Sequence, residues 1–287
     1  MASEQTASPN LAQREYWNSA ATRAWSERHD VIDRQFAALT QVVLDLAAPQ
    51  PGERVIDIGC GSGTTVLALA ARVGPHGFVL GADLSEPSVQ RARERIAQAG
   101  LGQAEVAVAD VSTHAFAAGS FDLAFSRFGV MFFADPTAAF ANVRKALKPG
   151  GRLTLAVFRS ARENAWVTAP LDAVRHLVTA TAPPDPDAPG QFAWADAARV
   201  HRILAGAGFR DVDLTPHDPM FALAGHGGAA EAADFAMLFG PVRRATAEAS
   251  AAQRQAVRSS LQAFFERHDS PRGIVLPGAI WIVRARA

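Results

Sequence analysis

The stretch at residues 55–63, VIDIGCGSG, limits the possible fold more than any other part of the chain. An apolar run carrying one aspartate gives way to glycine at 59, 61 and 63, and residues 64–72 then read as a helix. Glycines at alternate positions directly after a buried strand strip the turn of side chains, so that a ligand or another segment can lie against the main chain. Such a strand-to-helix turn aims backbone N–H groups and the positive end of a helix into a crevice at the carboxyl edge of a sheet. Taken alone, the same glycines also describe a tight turn with close helix–strand packing.

The surrounding pattern extends the fold. Residues 54–58, 78–84, 105–111, 121–128 and 152–158 read as strands. Helical stretches separate them at 64–72, from Pro87 to Gly100, and at 137–147, and a stripe of Phe36, Leu39, Val43 and Leu46 marks another helix over 31–46. Strands alternating with helices at this spacing predict an α/β domain with a doubly wound, mostly parallel sheet covered on both faces. Residues 11–29 read as helical and carry Tyr16, Trp17 and Trp25. Beyond residue 158 the alternation stretches, with a helix at 196–207, a strand at 209–223, two amphipathic helices and a last strand at 278–286.

Composition closes several routes. Lys+Arg and Asp+Glu balance at 28 each, which removes the basic footprint of a nucleic-acid binder. No apolar run reaches the roughly 20 residues of a membrane helix, and the polar start MASEQTASPN predicts a cytoplasmic protein without a secretion signal. Cys60 is the only cysteine, so an internal disulfide is impossible, and the eight histidines show no pair at ligand spacing, so no metal is expected.

Acidic residues sharpen the reading of the loop. Asp83 closes the second strand, 20 residues past Gly63, where a carboxylate can accept hydrogen bonds from both hydroxyls of a ribose. Asp110 at the end of the third strand suits the exocyclic amine of an adenine. Two adenosine cofactors compete. The nicotinamide fingerprint asks for a small residue where this chain has Thr64, and Asp57 would repel a pyrophosphate. S-adenosylmethionine carries an ammonium that Asp57 can face and a carboxylate for the backbone N–H groups.

VIDIGCGSG, GADLS, ADVSTHAF, FDLAFSRFGVMFF and LKPGGRL, in this order, resemble the successive motifs of class I S-adenosylmethionine-dependent methyltransferases, above all the branch similar to the ubiquinone/menaquinone-biosynthesis enzymes. The resemblance covers 31–158 strongly and the rest loosely. It implies a seven-stranded Rossmann-like sheet whose last two strands, 209–223 and 278–286, form an antiparallel hairpin. It also implies an N-terminal helical lid over residues 1–30, a methyltransferase domain over 31–287, and helical cap insertions at about 160–195 and 225–270. Asp57, Gly59, Cys60, Gly61 and Gly63 would line the methionine end of the cofactor, Asp83 the ribose, Leu84 an adenine face, and Asp110 with the Val111 backbone the adenine edge. Ser126 and Arg127 would flank the methionyl chain, with Trp17 and Trp25 near the sulfonium.

For the acceptor, Tyr16, Phe128, Met131, Phe132, Phe133 and Phe158 suggest an apolar wall, and the expected substrate is a small hydrophobic or aromatic molecule. Ser126-Arg127-Phe128-Gly129 follows the fourth strand where amino-methylating nucleic-acid enzymes carry Asn/Asp-Pro-Pro-aromatic. His29, His114, Glu163 and His226 are weak candidates for a general base, and Cys60 is not expected to act as a nucleophile. The alternatives are a sensor or scaffold that binds the cofactor without turnover, and a nicotinamide-dependent oxidoreductase. A monomer or homodimer is expected. Asp83→Ala is predicted to weaken S-adenosylhomocysteine binding by about 1–3 kcal/mol, because ribose hydroxyls would lose their acceptor; unchanged affinity in a calorimetric titration would refute the assignment.

Overall fold

The computed structural model describes residues 10–179, 185–224 and 227–287. The strands are β1 (Arg54–Ile58), β2 (Phe78–Asp83), β3 (Ala104–Val108), β4 (Phe121–Arg127), β5 (Leu147–Phe158), β6 (Arg210–His217), β7 (Met220–Ala222), β8 (Val275–Pro277) and β9 (Ile280–Arg286). Seven of them form one sheet in the order β3-β2-β1-β4-β5-β9-β6, parallel from β3 to β5, with β9 antiparallel to both β5 and β6. The order reverses at β1, which has β2 on one side and β4 on the other, and such a reversal is where an open α/β sheet forms a crevice at its carboxyl edge.

The helices are α1 (Leu11–Trp17), α2 (Arg23–Glu27), α3 (His29–Ala47), α4 (Thr64–Val73), α5 (Glu86–Gln98), α6 (Pro136–Ala146), α7 (Ala165–Val174), α8 (Ala197–Gly206), α9 (Ala229–Leu238), α10 (Gly240–Ala245) and α11 (Ala251–Glu266). Local chemistry sets several starts. The Ser85 hydroxyl accepts the Ser88 N–H with Pro87 in the first turn of α5, and Asp135 and Asp196 cap α6 and α8 in the same way. Helices α4 and α5 pack on β1, β2 and β3, α3 lies beside α4 against β4 and β5, and α6 pairs with α8. Val55, Ile56 and Ile58 are therefore sealed in the middle of the sheet.

Three expectations are corrected in detail. The stretch 209–223 is two strands: β6 ends at His217, and β7 leaves the main sheet to pair with β8. Pro216 is tolerated inside β6 because β6 is an edge strand with no neighbour on its outer side. The third strand stops at Val108, so Asp110 and Val111 lie in the loop beyond it. Residues 11–29 form two short helices rather than one, and α3 begins at His29.

A second apolar cluster, built from α7, α9, α10, α11, β8 and the residues that follow β7, has its own centre at Val257, Leu261, Phe265 and Val174. It joins the sheet through rings. Phe36 of α3 meets Phe128, Trp166 and Phe221 edge-on, while Phe128 and Phe158 stack with centroids 4.1 Å apart. Buried Asn164 pins the junction: its amide donates to the carbonyls of Ser160 and Ala279 at 3.0 Å, and its oxygen accepts the Ala279 N–H at 2.9 Å and the Trp166 indole at 3.1 Å. No helix among the described residues is long and apolar enough to cross a membrane.

The tightest constraint sits where the sheet order reverses. A Cβ on Gly59 would fall 2.5 Å from the Gly129 Cα, against backbone that cannot swing aside, and Gly59 has φ of +67°. Gly61, with φ of +52°, has open space in the same direction. Gly59→Ala is expected to cost roughly 2–4 kcal/mol of stability from combined overpacking and strain, against about 1–2 kcal/mol for Gly61→Ala from left-handed strain alone. Urea unfolding of the two variants checks this ranking.

Candidate cofactor and acceptor site

The glycine loop is held from below and from both sides. Gly59 and Cys60 donate their N–H groups to the Ala82 carbonyl at 2.8 and 3.3 Å, which ties the β1 loop to β2. A side chain at Gly63 would meet Ala92 of α5 at 2.9 Å, so Gly63, like Gly59, is bare because protein crowds it. Gly61 is different. Among the described residues nothing lies within 4 Å of the place its Cβ would take, so its bareness serves the open crevice and not the packing. The Cys60 thiol turns inward: it is buried, and burial together with Asp83 and Asp57 pushes its pKa up, so only the Cys60 backbone can belong to a site.

Three carboxylates line this edge, one fully buried and two half-buried. Asp57, level with Gly81 in the strand register, is fully buried; its Oδ2 accepts the Thr65 hydroxyl at 2.5 Å and its Oδ1 has no partner among the described residues. Burial pushes the Asp57 pKa up to about 7, against the opposing pull of Thr65 and Arg127. Asp83, at the end of β2, is only partly exposed and accepts the Gly61 N–H and the Ser85 N–H, each at 2.8 Å, on its two oxygens. Its pKa is also raised, by burial outweighing these bonds. Asp110, beyond β3, accepts the Ser112 N–H at 2.9 Å and its hydroxyl at 2.6 Å.

The neighbouring residues expected to flank the methionyl chain are engaged within the protein. The buried Ser126 hydroxyl donates to the Ile58 carbonyl at 2.6 Å and accepts the Gly129 N–H at 3.2 Å, so it clamps the β1 and β4 ends together. Arg127 donates to the Thr40 hydroxyl at 2.5 Å, and its guanidinium lies 5.6 Å from the Phe36 ring centroid. A network that sequence patterning did not reveal braces the loop from the α4 side. Arg95 pairs with Asp33 at 2.9 Å and donates to the Ser62 carbonyl at 2.8 Å, while the Thr64 hydroxyl bonds Asp33.

The N-terminal segment crosses the same edge. Buried Asn10 donates to Asp110 at 2.9 Å and to the Ser112 hydroxyl at 3.2 Å, and accepts the Ala134 N–H at 2.8 Å. Asn18 donates to the Leu84 carbonyl and accepts the Glu86 N–H, both at 2.9 Å. Between these two clasps a cavity of about 260 Å³ is lined by Arg14, Leu84, Val108, Ala109, Asp110, Thr113 and His114. Asparagines carry no periodic signal, so neither clasp was visible in the sequence.

The aromatic residues divide. Trp17 touches Phe132 with centroids 5.1 Å apart and Trp25 at 6.0 Å, and Trp25 reaches Phe239 at 4.9 Å, so one chain of rings joins the N-terminal helices to the α9–α10 region. Tyr16, largely exposed, rests edge-on against Trp17. Phe133 packs on Phe140, and Met131 is sealed in the core. Phe128 has φ of +68°, unusual for a ring-bearing residue, directly after β4.

The weak base candidates do not assemble. Glu163 is exposed and locked in a capping box with Ser160 and an ion pair with Arg159; the Ser160 hydrogen bond, then Arg159, hold its pKa below the ordinary value. His29 sits with Nδ1 at 3.1 Å from the Ser26 carbonyl, and His114 is exposed on the cavity rim against Phe116. His226 lies outside the described residues.

Comparison with known proteins agrees with this geometry. A family described as a methyltransferase domain matches residues 49–204. Nocamycin O-methyltransferase of Saccharothrix syringae is 35% identical over 187 residues, 62% of this chain and 66% of that protein. Aklanonic acid methyltransferase DauC of Streptomyces sp. (strain C5) is 33% identical over 150 residues, 50% of this chain and 68% of that protein. The chain thus spans about two thirds of the length of these relatives. A solved structure of phosphoethanolamine N-methyltransferase 2 from Haemonchus contortus, in complex with S-adenosyl-L-methionine, shares the fold with a TM-score of 0.59 at 17% identity, covering 95% of this chain and 59% of that one. The chain belongs to the methyltransferase-domain family and carries the S-adenosylmethionine-dependent methyltransferase fold.

Proposed function

We propose that this protein transfers the methyl group of S-adenosylmethionine to a small, apolar, ring-bearing molecule. The observation that carries the reading is the pairing of Gly61, bare toward open space, with the Asp83 carboxylate that fixes its N–H. Two features fit the cofactor: the cradle at Gly61, and the orphaned oxygen of buried Asp57, which suits an ammonium. Each Asp83 oxygen already accepts one backbone N–H and keeps lone-pair capacity for a ribose hydroxyl. Leu84, Val108 and Ala109 offer an adenine an apolar slot of suitable size, with Asp110 and the Val111 backbone at its edge.

When bound, the cofactor supplies a methyl sulfonium that is already activated. The chain's own task is then to place an acceptor in line and to exclude water, a contribution worth up to about 7–11 kcal/mol. α1 and α2, clasped across the edge by Asn10 and Asn18, act as the lid, and Trp17, Trp25 and Phe132 as its apolar underside. The helices of the second cluster act as the cap. Phe128 and Phe158, although stacked into the core, border the same end of the sheet. No general base is assigned, since Glu163 is committed to its cap and His29 to Ser26.

The balanced charge and the Ser126-Arg127-Phe128-Gly129 sequence support a metabolite over a nucleic acid as the acceptor. A single buried cysteine suits a cytoplasmic protein, as a monomer or homodimer.

Titration calorimetry is expected to show S-adenosylhomocysteine binding and no NADH binding, with labelled methyl passing from the cofactor into an apolar fraction of a metabolite extract. The reverse preference would overturn the reading. Asp57 supplies a second check. With a folded pKa of about 7 against about 4 in the unfolded chain, it holds a proton that the unfolded state releases. Its contribution to stability is present below about pH 4 and lost as pH rises toward 7. The cofactor-free protein should therefore lose thermal stability between pH 5 and 7 to a greater extent than Asp57→Asn; parallel melting profiles would exclude the buried, protonated state.

A further inference from the structure

Gln35 is 4% exposed, and neither its amide nitrogen nor its amide oxygen has a hydrogen-bond partner among the described residues. A buried carboxamide with both ends unpaired gives up its water bonds for nothing, so the free protein carries a cost that a plain apolar residue would avoid. The place of this residue in the fold gives the cost a purpose. The first half of α3 lies at the carboxyl edge of the sheet: Asp33 meets Thr64 at the start of α4, and Phe36 and Thr40 meet the end of β4 through Phe128 and Arg127. Gln35 lies about 100° around the helix from Phe36, on the side away from Asp33 and the glycine loop. On that side Val31 packs on the second apolar cluster. That azimuth puts Gln35 on the face of α3 between Phe36, which meets the rings at the end of β4, and Val31, which packs on the cluster proposed as the cap.

We infer that Gln35 reads the acceptor molecule, pairing its amide with a hydroxyl and an adjacent carbonyl on an otherwise apolar, ring-bearing substrate. This rests on the methyltransferase reading and names the polar handle of its acceptor. The chemistry follows from the amide itself, which offers a carbonyl oxygen to accept and an NH2 to donate. A neutral hydroxyl beside a carbonyl satisfies both at once. A carboxylate presents acceptors only and would leave the Gln35 oxygen unpaired, and a plain hydrocarbon ring would leave both ends as they are. The orphaned pair then discriminates strongly, because a buried site built to hydrogen-bond rejects analogues that lack the matching group.

The test uses two matched probes, benzoin, which has a hydroxyl next to its carbonyl, and deoxybenzoin, which lacks the hydroxyl. Wild type and Gln35→Met, each saturated with S-adenosylhomocysteine, are titrated with both. Wild type is expected to bind benzoin roughly tenfold or more tightly than deoxybenzoin, and Gln35→Met to lose that preference. The melting temperature of cofactor-free Gln35→Met should rise by about 2–4 °C, as unpaired polar atoms are removed. No preference in the wild type, a preference that survives in Gln35→Met, or a fall in its melting temperature would each overturn the inference. S-adenosylhomocysteine titration of the same samples separates the two readings: absent binding in the wild type defeats both, whereas normal binding without discrimination defeats the role of Gln35 alone.

Discussion

The architecture depends on a contact between two pieces of bare backbone. Where the strand order reverses, the turn after β1 and the turn after β4 meet at Gly59 and Gly129, too close for a side chain on either. Ser126 bolts them by bonding the Ile58 carbonyl and the Gly129 N–H with one hydroxyl. Because these turns touch, the loop beyond them has a fixed height over the sheet, and Gly61 comes to rest against the Asp83 carboxylate. The crevice is thus a consequence of how closely two main chains approach, and the residues that line it inherit their positions from that approach.

Burial then gives three chemically similar carboxylates different work. Asp57 sits deepest, with one oxygen bonded to Thr65 and the other alone, and its raised pKa expresses the cost of a charge without a nearby cation in contact. Asp83 is bound by two backbone N–H groups and is held rigidly. Asp110, half-buried like Asp83, is reached by the N-terminal segment through Asn10. Their places follow the strand register, since Asp57 lies level with Gly81, Asp83 with Val108, and Asp110 beyond the last pair.

Much of this was legible because the signals were local. The alternation of strands with helices, the helix start at Pro87, and the glycine spacing all depend on neighbours a few residues apart. Expectations that depended on side-chain direction fared differently. Ser126, in β4, and Cys60, in the glycine loop, turn their side chains into the protein, and Met131 is core rather than wall. Glu163 was a base candidate in the sequence, yet a capping box with Ser160 and an ion pair with Arg159 engage it. The strand at 209–223 broke at the turn before Pro219, because its second half found a different partner in β8.

By itself the sequence determined the class of fold, the parallel core with its crossover helices, and the loop whose backbone must stay bare, since periodicity and glycine placement act through short-range sterics. Only the tertiary structure decided which of the three loop glycines faces open space, which carboxylate oxygen is left alone, and that Asn10, Asn18 and Gln35 matter at all. Those properties come from segments separated by tens of residues arriving at one edge: Asn10 reaches Asp110 and Ala134, and Asp33 reaches Thr64 and Arg95. The physical reason is that hydrogen-bond satisfaction and burial depend on everything packed around a group, whereas local pattern records only its neighbours in the chain.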